Sequence, residues 1–350
     1  MREEIGISIS GDFREASASI HEADALVMIT SAANFEKHTR ELAEAFPNVP
    51  SIGGIGLSYG GNTINEKGIT LIALFGADAK ADVIEELSIM PIKYIERLED
   101  AIRAVDARSG NSVCFDFTTG HDGKLVTTLN TILSGRKIPL IGGTVDGKYV
   151  SVNGKIYSDS CAFLLLKNRT GKIFTYKENI YRPTGKRFMA TKTDPSKNLL
   201  IEVDGQPAAT FYQKQLGINA SQVAKQTFKN PFGRIYGNET YLISVKEIVG
   251  TALSCFKQTN NLDILTIMEI EDYRKTVEET ITKIRKELGN VNGILSVNCL
   301  FRYLLFKQDG YLNEYFKKMG NAAEHAGMIG VGEHYCKQHV NQTMCCIAFN

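Results

Sequence analysis

Ser112–Gly147 reads SVCFDFTTGHDGKLVTTLNTILSGRKIPLIGGTVDG. An apolar strand opens it and a short polar turn follows. The period then changes: Leu125, Leu129, Ile132 and Leu133 stand at i, i+4, i+7 and i+8, the stripe of an amphipathic helix. Gly135 is expected to cap that helix at its C-terminus. A second short strand then runs to the paired glycines Gly142 and Gly143.

The same grammar occurs twice more. Residues 23–61 read ADALVMITSAANFEKHTRELAEAFPNVPSIGGIGLSYGG, with Phe35, Leu42 and Phe46 as the helical stripe. Residues 293–334 read GILSVNCLFRYLLFKQDGYLNEYFKKMGNAAEHAGMIGVGEH, with Leu312, Tyr315, Phe316, Met319 and Ala323 on one face. A further strand follows each glycine turn: ITLIALF, SCAFLLLK and TMCCIAF. Two more strand-to-helix passages agree with the pattern. LDILTIMEI precedes a helix faced by Tyr273, Val277, Ile281, Ile284 and Leu288, and ITLIALF precedes one faced by Ile95, Leu98, Ile102 and Val105. A strand–helix–strand unit makes parallel neighbours, because its helix crosses over one face of the sheet. The expected fold is α/β, with repeated strand-helix-strand modules, mixed parallel and antiparallel sheets and closing hairpins, in two lobes.

Thr170 to about Lys197 is polar, carries two prolines and reads as a connection. NLLIEVDGQPAATFYQKQLG then reads as a strand, an Asp-Gly turn, a helix with Pro207 in its first turn and a glycine stop. The boundary is placed there, giving residues 1–200 and 201–350.

With 350 residues, two domains or one large one are expected. A net charge of +1 provides no field to draw nucleic acid or anionic lipid. The seven cysteines are an odd number, and MREEIGISIS lacks the apolar core of a signal peptide, so reduced thiols in the cytoplasm are expected. The longest apolar runs, CAFLLL and MCCIAF, fall far short of the roughly 20 residues of a membrane span.

In open parallel sheets, ligands bind beyond the carboxyl ends of the strands, where helix N-termini offer free N–H groups. The residues expected there are Thr118, Thr119, Gly142, Gly143, Asn298, Cys299, Arg302, Gly332 and Glu333. Arg302 with Thr118 and Thr119 suits a carboxylate, and Glu333 suits an ammonium group. The structural alternatives are an Arg302–Glu333 ion pair, a simple N-cap at Thr118 and Thr119, and glycines serving only tight turns.

Other motifs argue against themselves. GGIGLSYGG has the wrong spacing for a dinucleotide fingerprint and reads as a hairpin. In HYCKQH, His334 and His339 lack a second ligand pair for zinc, and strand alternation is expected to scatter them over two faces. Cys299 near a helix start, with His339, outlines a conceivable nucleophile pair, against which stands the ordinary burial of cysteine.

The whole chain resembles the FIST family, the paired modules of bacterial sensory proteins. The motifs that carry the likeness are IPLIGGTVDG with VNGKIYSDSCAFLLL, LLIEVDGQPAATFY, LSVNCLFR, and VGEHY followed by VNQT. The resemblance places Cys299, Arg302, Gly332, Glu333, Asn341, Gln342 and Thr343 on family positions, with Glu202, Asp204, Gly205 and Pro207 in the linking segment. Where the family often has His directly before Asn-Gln-Thr, this chain has Val340, with His339 one place earlier. The resemblance implies a cytoplasmic, non-enzymatic module that binds a small polar metabolite such as an amino acid or carboxylate. It also implies output to a histidine kinase, chemotaxis receptor or cyclic-nucleotide enzyme, and no cofactor. A branch of the family binds haem and senses nitric oxide; here its axial ligand would come from His121, His325, His334 or His339. A Cys299-dependent enzyme is the third reading. Because the last strand runs to Phe349, the output partner is expected on a separate chain or on a longer receptor from which this one was cut.

Overall fold

Three strands lead the three repeats: Ala25–Thr30, Ser112–Thr118 and Gly293–Cys299. Each is buried along its whole length, so each needs cover on both faces. In the computed structural model, which describes every residue except Asn238, each sits fourth from one edge of its own six-stranded sheet.

The three sheets share one plan. The lead strand pairs in parallel with the second strand of its repeat: Ser51–Ile55, Leu140–Thr144 or His325–Gly330. On its other side it pairs antiparallel with the closing strand: Ile69–Phe75, Cys161–Asn168 or Thr343–Phe349. An outer strand completes that side: Arg2–Ser8, Ala77–Ile84 or Ile173–Asn179.

The hairpins do not stay at home. Leu57–Gly60 with Thr63–Asn65, from the first repeat, joins the sheet of the third. Tyr149–Val152 with Lys155–Ser158, from the second, joins the sheet of the first. Glu333–Tyr335 with Gln338–Val340, from the third, joins the sheet of the second. The exchange is cyclic, and it gives this part of the chain a threefold internal repeat.

One face of every sheet contributes to a common core. Val27, Ile29 and Ile72 meet Phe115, Phe117 and Leu164, and both groups meet Leu295, Val297 and Ile347. The opposite faces are covered by helices: Phe35–Ala45 on the first sheet, Ile95–Ala104 and Asp122–Arg136 on the second, and Leu300–Gln308 with Leu312–Gly320 on the third.

By contact the chain falls into two units, Met1–Glu178 with Val277–Asn350, and Asn179–Thr276. The second unit is an antiparallel sheet ordered Glu239–Ile243, Phe232–Tyr236, Ile264–Ile270, Phe188–Asp194, Leu199–Val203, Ala252–Cys255, Val245–Val249. Ala208–Leu216 packs Ala208, Phe211 and Tyr212 into its core. The boundary expected near 200 lies inside this unit.

Several local expectations need correction. The stretch 170–197 is not a plain connection: it carries Ile173–Asn179, Tyr181–Pro183 and Phe188–Asp194 as strands. Pro207 is the N-cap of its helix, one place before the first turn. Leu300–Gln308 is itself a helix, and Arg302 stands in its first turn. Gly135 lies within Asp122–Arg136, and the left-handed cap is Lys137 at φ 55°. Space around Gly135 is open, since a Cβ there meets nothing within 4 Å. Gly135→Ala should therefore stabilise the protein by about 0.4–1 kcal/mol in urea denaturation. A loss would mean the cap sits at 135 after all.

Candidate functional site

The hairpin exchange lays one side chain from a foreign repeat beside each lead strand. In the second sheet, His334 stands opposite Gly142, and Gly142 stands opposite Asp116. Glycine leaves the middle position open, so His334 and Asp116 meet: Nδ1 lies 2.8 Å from Oδ2. The other ring nitrogen, Nε2, lies 2.9 Å from Oδ1 of Asp122, the first residue of its helix. The Thr144 hydroxyl donates to the same oxygen. His339 stands opposite His334 across the hairpin, with Nε2 3.7 Å from Asp122. The two imidazoles therefore share a face, contrary to the expected scattering.

Burial by itself would lower the basicity of His334, but Asp116 and Asp122 outweigh it and push the imidazole up to about 10. Burial likewise tends to raise Asp122, yet hydrogen bonds from His334 and Thr144 and the charge of His339 hold it well below the usual carboxylate range. Asp116 is raised by burial, which His334 only partly offsets. His334 is thus a buried cation held between two carboxyl groups.

The third sheet carries a different network on its helix-covered face. Tyr59, from the hairpin of the first repeat, stands opposite Gly327, which stands opposite Ser296. The Tyr59 hydroxyl reaches Ser296 Oγ at 2.7 Å and accepts from Asn298 Nδ2 at 2.8 Å. Tyr315 donates to Asn298 Oδ1 at 3.2 Å, and Ser296 reaches His325 Nε2 at 2.7 Å. Burial depresses His325 to about 3, so its ring is neutral. Arg302 completes the network. Only 1% exposed, it stacks on Phe306 and Tyr315, with its guanidinium carbon 4.6 and 5.3 Å from the ring centroids. Its Nη2 donates to Oε1 of Glu178, itself buried. Among the described residues, Nε and Nη1 of Arg302 and Oε2 of Glu178 find no hydrogen-bond partner.

The expected site residues divide between these places. Thr118, Gly142, Gly143, Gly332 and Glu333 come together at one end of the second sheet: Thr118 pairs with Thr144, Gly143 with Phe117 and Glu333, and Gly332 accepts from the Thr144 amide. Thr118 and Thr119 do not cap the helix. The Thr118 hydroxyl donates to Gly120, that of Thr119 to Ser160, and the N-cap is His121. Cys299 joins this group through Glu333; burial and that carboxylate push its thiol up, away from nucleophilic thiolate. Glu333 accepts from the Thr343 amide and hydroxyl, and Asn341 is buried, its Oδ1 without a partner among the described residues. Asn298 and Arg302 belong to the other face of the third sheet, and the ion-pair partner of Arg302 is Glu178, not Glu333. A cavity of about 370 Å³ is lined by none of these residues; its walls include Asn130, Ser134, Lys137, Cys336 and Lys337.

The FIST N domain model matches residues 24–206 and the FIST C domain model matches 208–336. The chain belongs to the FIST family. FIST domains are sensory domains of signal transduction proteins, and this chain carries both the N and the C domain. The FIST C match ends before Asn341, Gln342 and Thr343, and the two FIST matches meet within the second contact unit. No curated protein matches the chain. No helix among the described residues is long and apolar enough to cross a membrane.

Two of the four histidines named as haem ligands are already engaged. His334 commits both ring nitrogens to carboxyl groups, and His325 is packed against Tyr59 and Phe316. Of the other two, His121 Nε2 lies 3.8 Å from Asp159 Oδ1 and His339 Nε2 lies 3.7 Å from Asp122 Oδ1. Sequence reasoning missed Glu178, Asp116, Asp122 and Tyr59. Asp116 alone left a signal, a single carboxyl inside the otherwise apolar strand SVCFDFT.

Proposed function

We propose that this chain is the ligand-binding part of a cytoplasmic signalling system, that it recognises a small polar metabolite bearing a carboxylate, as an amino acid does, and that Arg302 anchors that carboxylate. The observation that carries the reading is the state of Arg302. It is fully buried and stacked on two aromatic rings, and two of its nitrogens lack acceptors among the described residues. A buried guanidinium with spare donors is suited to a planar anion. Its position also supports the reading, since it lies one turn beyond the carboxyl end of a parallel strand, at the start of a helix. Output passes to a separate signalling protein, such as a histidine kinase, chemotaxis receptor or cyclic-nucleotide enzyme.

The test is a thermal-shift screen of amino acids and carboxylates. A ligand at 100 times its Kd adds about 2.7 kcal/mol of stability. Arg302→Lys keeps the charge but loses the planar fork, so the affinity for any hit falls roughly tenfold, the equivalent of one charged hydrogen bond worth about 1.5 kcal/mol. Silence across a broad panel, or an unchanged Kd in the lysine variant, removes Arg302 from the role.

A further inference from the structure

We infer that Glu178 is a built-in competitor for the Arg302 site, and that the pair works as a latch whose opening frees the strand Ile173–Asn179. This rests on the reading of Arg302 as the ligand's anchor. The chain already supplies that anchor with a carboxylate of its own, so an incoming carboxylate has to displace Glu178.

Three features make the closed pair a poised state. The first is incomplete satisfaction. A buried ion pair offsets its desolvation cost only when its remaining donors and acceptors are bonded, and here two nitrogens of Arg302 and one oxygen of Glu178 are not. The second is the strand itself. It is the outermost of its sheet, with the ladder to Thr343–Phe349 on one side only. Its side-chain anchors beyond Ile173 are largely polar: Tyr176 donates to Glu287 at 2.7 Å, Lys177 to Gln338 at 2.7 Å, and Glu178 accepts from Arg302. Edge segments held in this way open locally before the rest of a domain. The third is connectivity. Glu178 is the last residue of the first unit before the chain continues into Asn179–Thr276. Displacing it therefore moves the segment that leads covalently into the second unit.

Charge balance gives the direction. Once a ligand carboxylate sits on Arg302, Glu178 has lost its ion-pair partner and goes to water, taking its strand with it.

Hydrogen exchange tests the latch without any ligand. In Glu178→Gln, the amides of Ile173–Asn179 should exchange about tenfold faster or more, a shift equivalent to about 1.4 kcal/mol, while those of Ser112–Thr118 keep their protection. The double variant Glu178→Gln with Arg302→Gln buries no charge, and its strand should return to wild-type rates. An unchanged single variant overturns the latch, and so do single and double variants that exchange equally fast, because the effect is then one of packing. Wild-type protein provides a readout that needs no variant to fold. Its 173–179 amides should exchange through local opening, insensitive to low urea, and exchange only through global unfolding overturns the idea. Because no ligand enters these measurements, a silent ligand panel counts against the sensing assignment and a rigid strand counts against the latch.

Discussion

His334→Leu should lower the unfolding free energy at pH 7 by about 3–5 kcal/mol, the usual cost of breaking a buried ion pair from one side. The leucine fills the space but strips both donors and the charge, leaving Asp116 fully buried without its partner. Adding Asp116→Leu should recover much of the loss, since a buried pair exchanged for apolar residues is often neutral. The pH dependence is the sharper signature. The imidazole of His334 is raised from 6.5 to about 10 in the folded state, so its stabilisation is complete below pH 6.5 and fades as the pH climbs through about 10. Asp122 is shifted the other way: its contribution is complete above 3.8 and is lost only as the pH falls through its depressed folded value. The gap between wild type and His334→Leu, on the order of a few kcal/mol, should therefore close between pH 7 and strongly alkaline solution. A gap of constant size from pH 6 to 10.5 would mean that His334 is not the cation of this cluster.

The repeat behind this cluster was readable from spacing, because strand, helix and glycine turn are local properties with local periods. Leu125, Leu129 and Leu133 do lie buried under one helix, and the closing strands stand where the apolar runs put them. What local pattern does not encode is the partner of a hairpin. HYCKQH was read for its strand alternation, but nothing in it says that its sheet belongs to another repeat, some 190 residues earlier. Without that register His334 and Asp116 are unrelated residues, and the same holds for Tyr59 with Ser296. Arg302 was legible as an unusual cation near a strand end, but its partner was not. Glu178 lies in KIFTYKENI, a polar stretch that reads as a connection and becomes an edge strand only because Thr343–Phe349 lies beside it.

The exchanged register makes a second large prediction, at the glycines it crosses. Gly53 stands between Met28 and Ser151, Gly142 between Asp116 and His334, and Gly327 between Ser296 and Tyr59. These are the same place in three sheets, yet alanine should not cost the same at each. A Cβ on Gly142 would lie 2.2 Å from the carbonyl oxygen of Asp116, and one on Gly327 would lie 1.9 Å from that of Ser296. Those oxygens belong to the neighbouring strand and cannot retreat without breaking the parallel ladder. At Gly53 the obstacles are Ser151 Oγ at 2.3 Å and Met28 Cε at 2.9 Å, both ends of side chains that can rotate. Overpacking typically costs about 1–3 kcal/mol, and more where nothing can yield. Gly142→Ala and Gly327→Ala should fall at about 3 kcal/mol or beyond in urea denaturation, and Gly53→Ala near about 1 kcal/mol. The two severe variants should also lose what the exchange delivers. In Gly142→Ala the His334 resonance should move toward an ordinary titration near 6.5, because the imidazole can no longer reach Asp116 across the filled position. Equal tolerance at all three glycines would mean that the hairpins do not cross there, and the contacts of His334 and Tyr59 would lose their common cause.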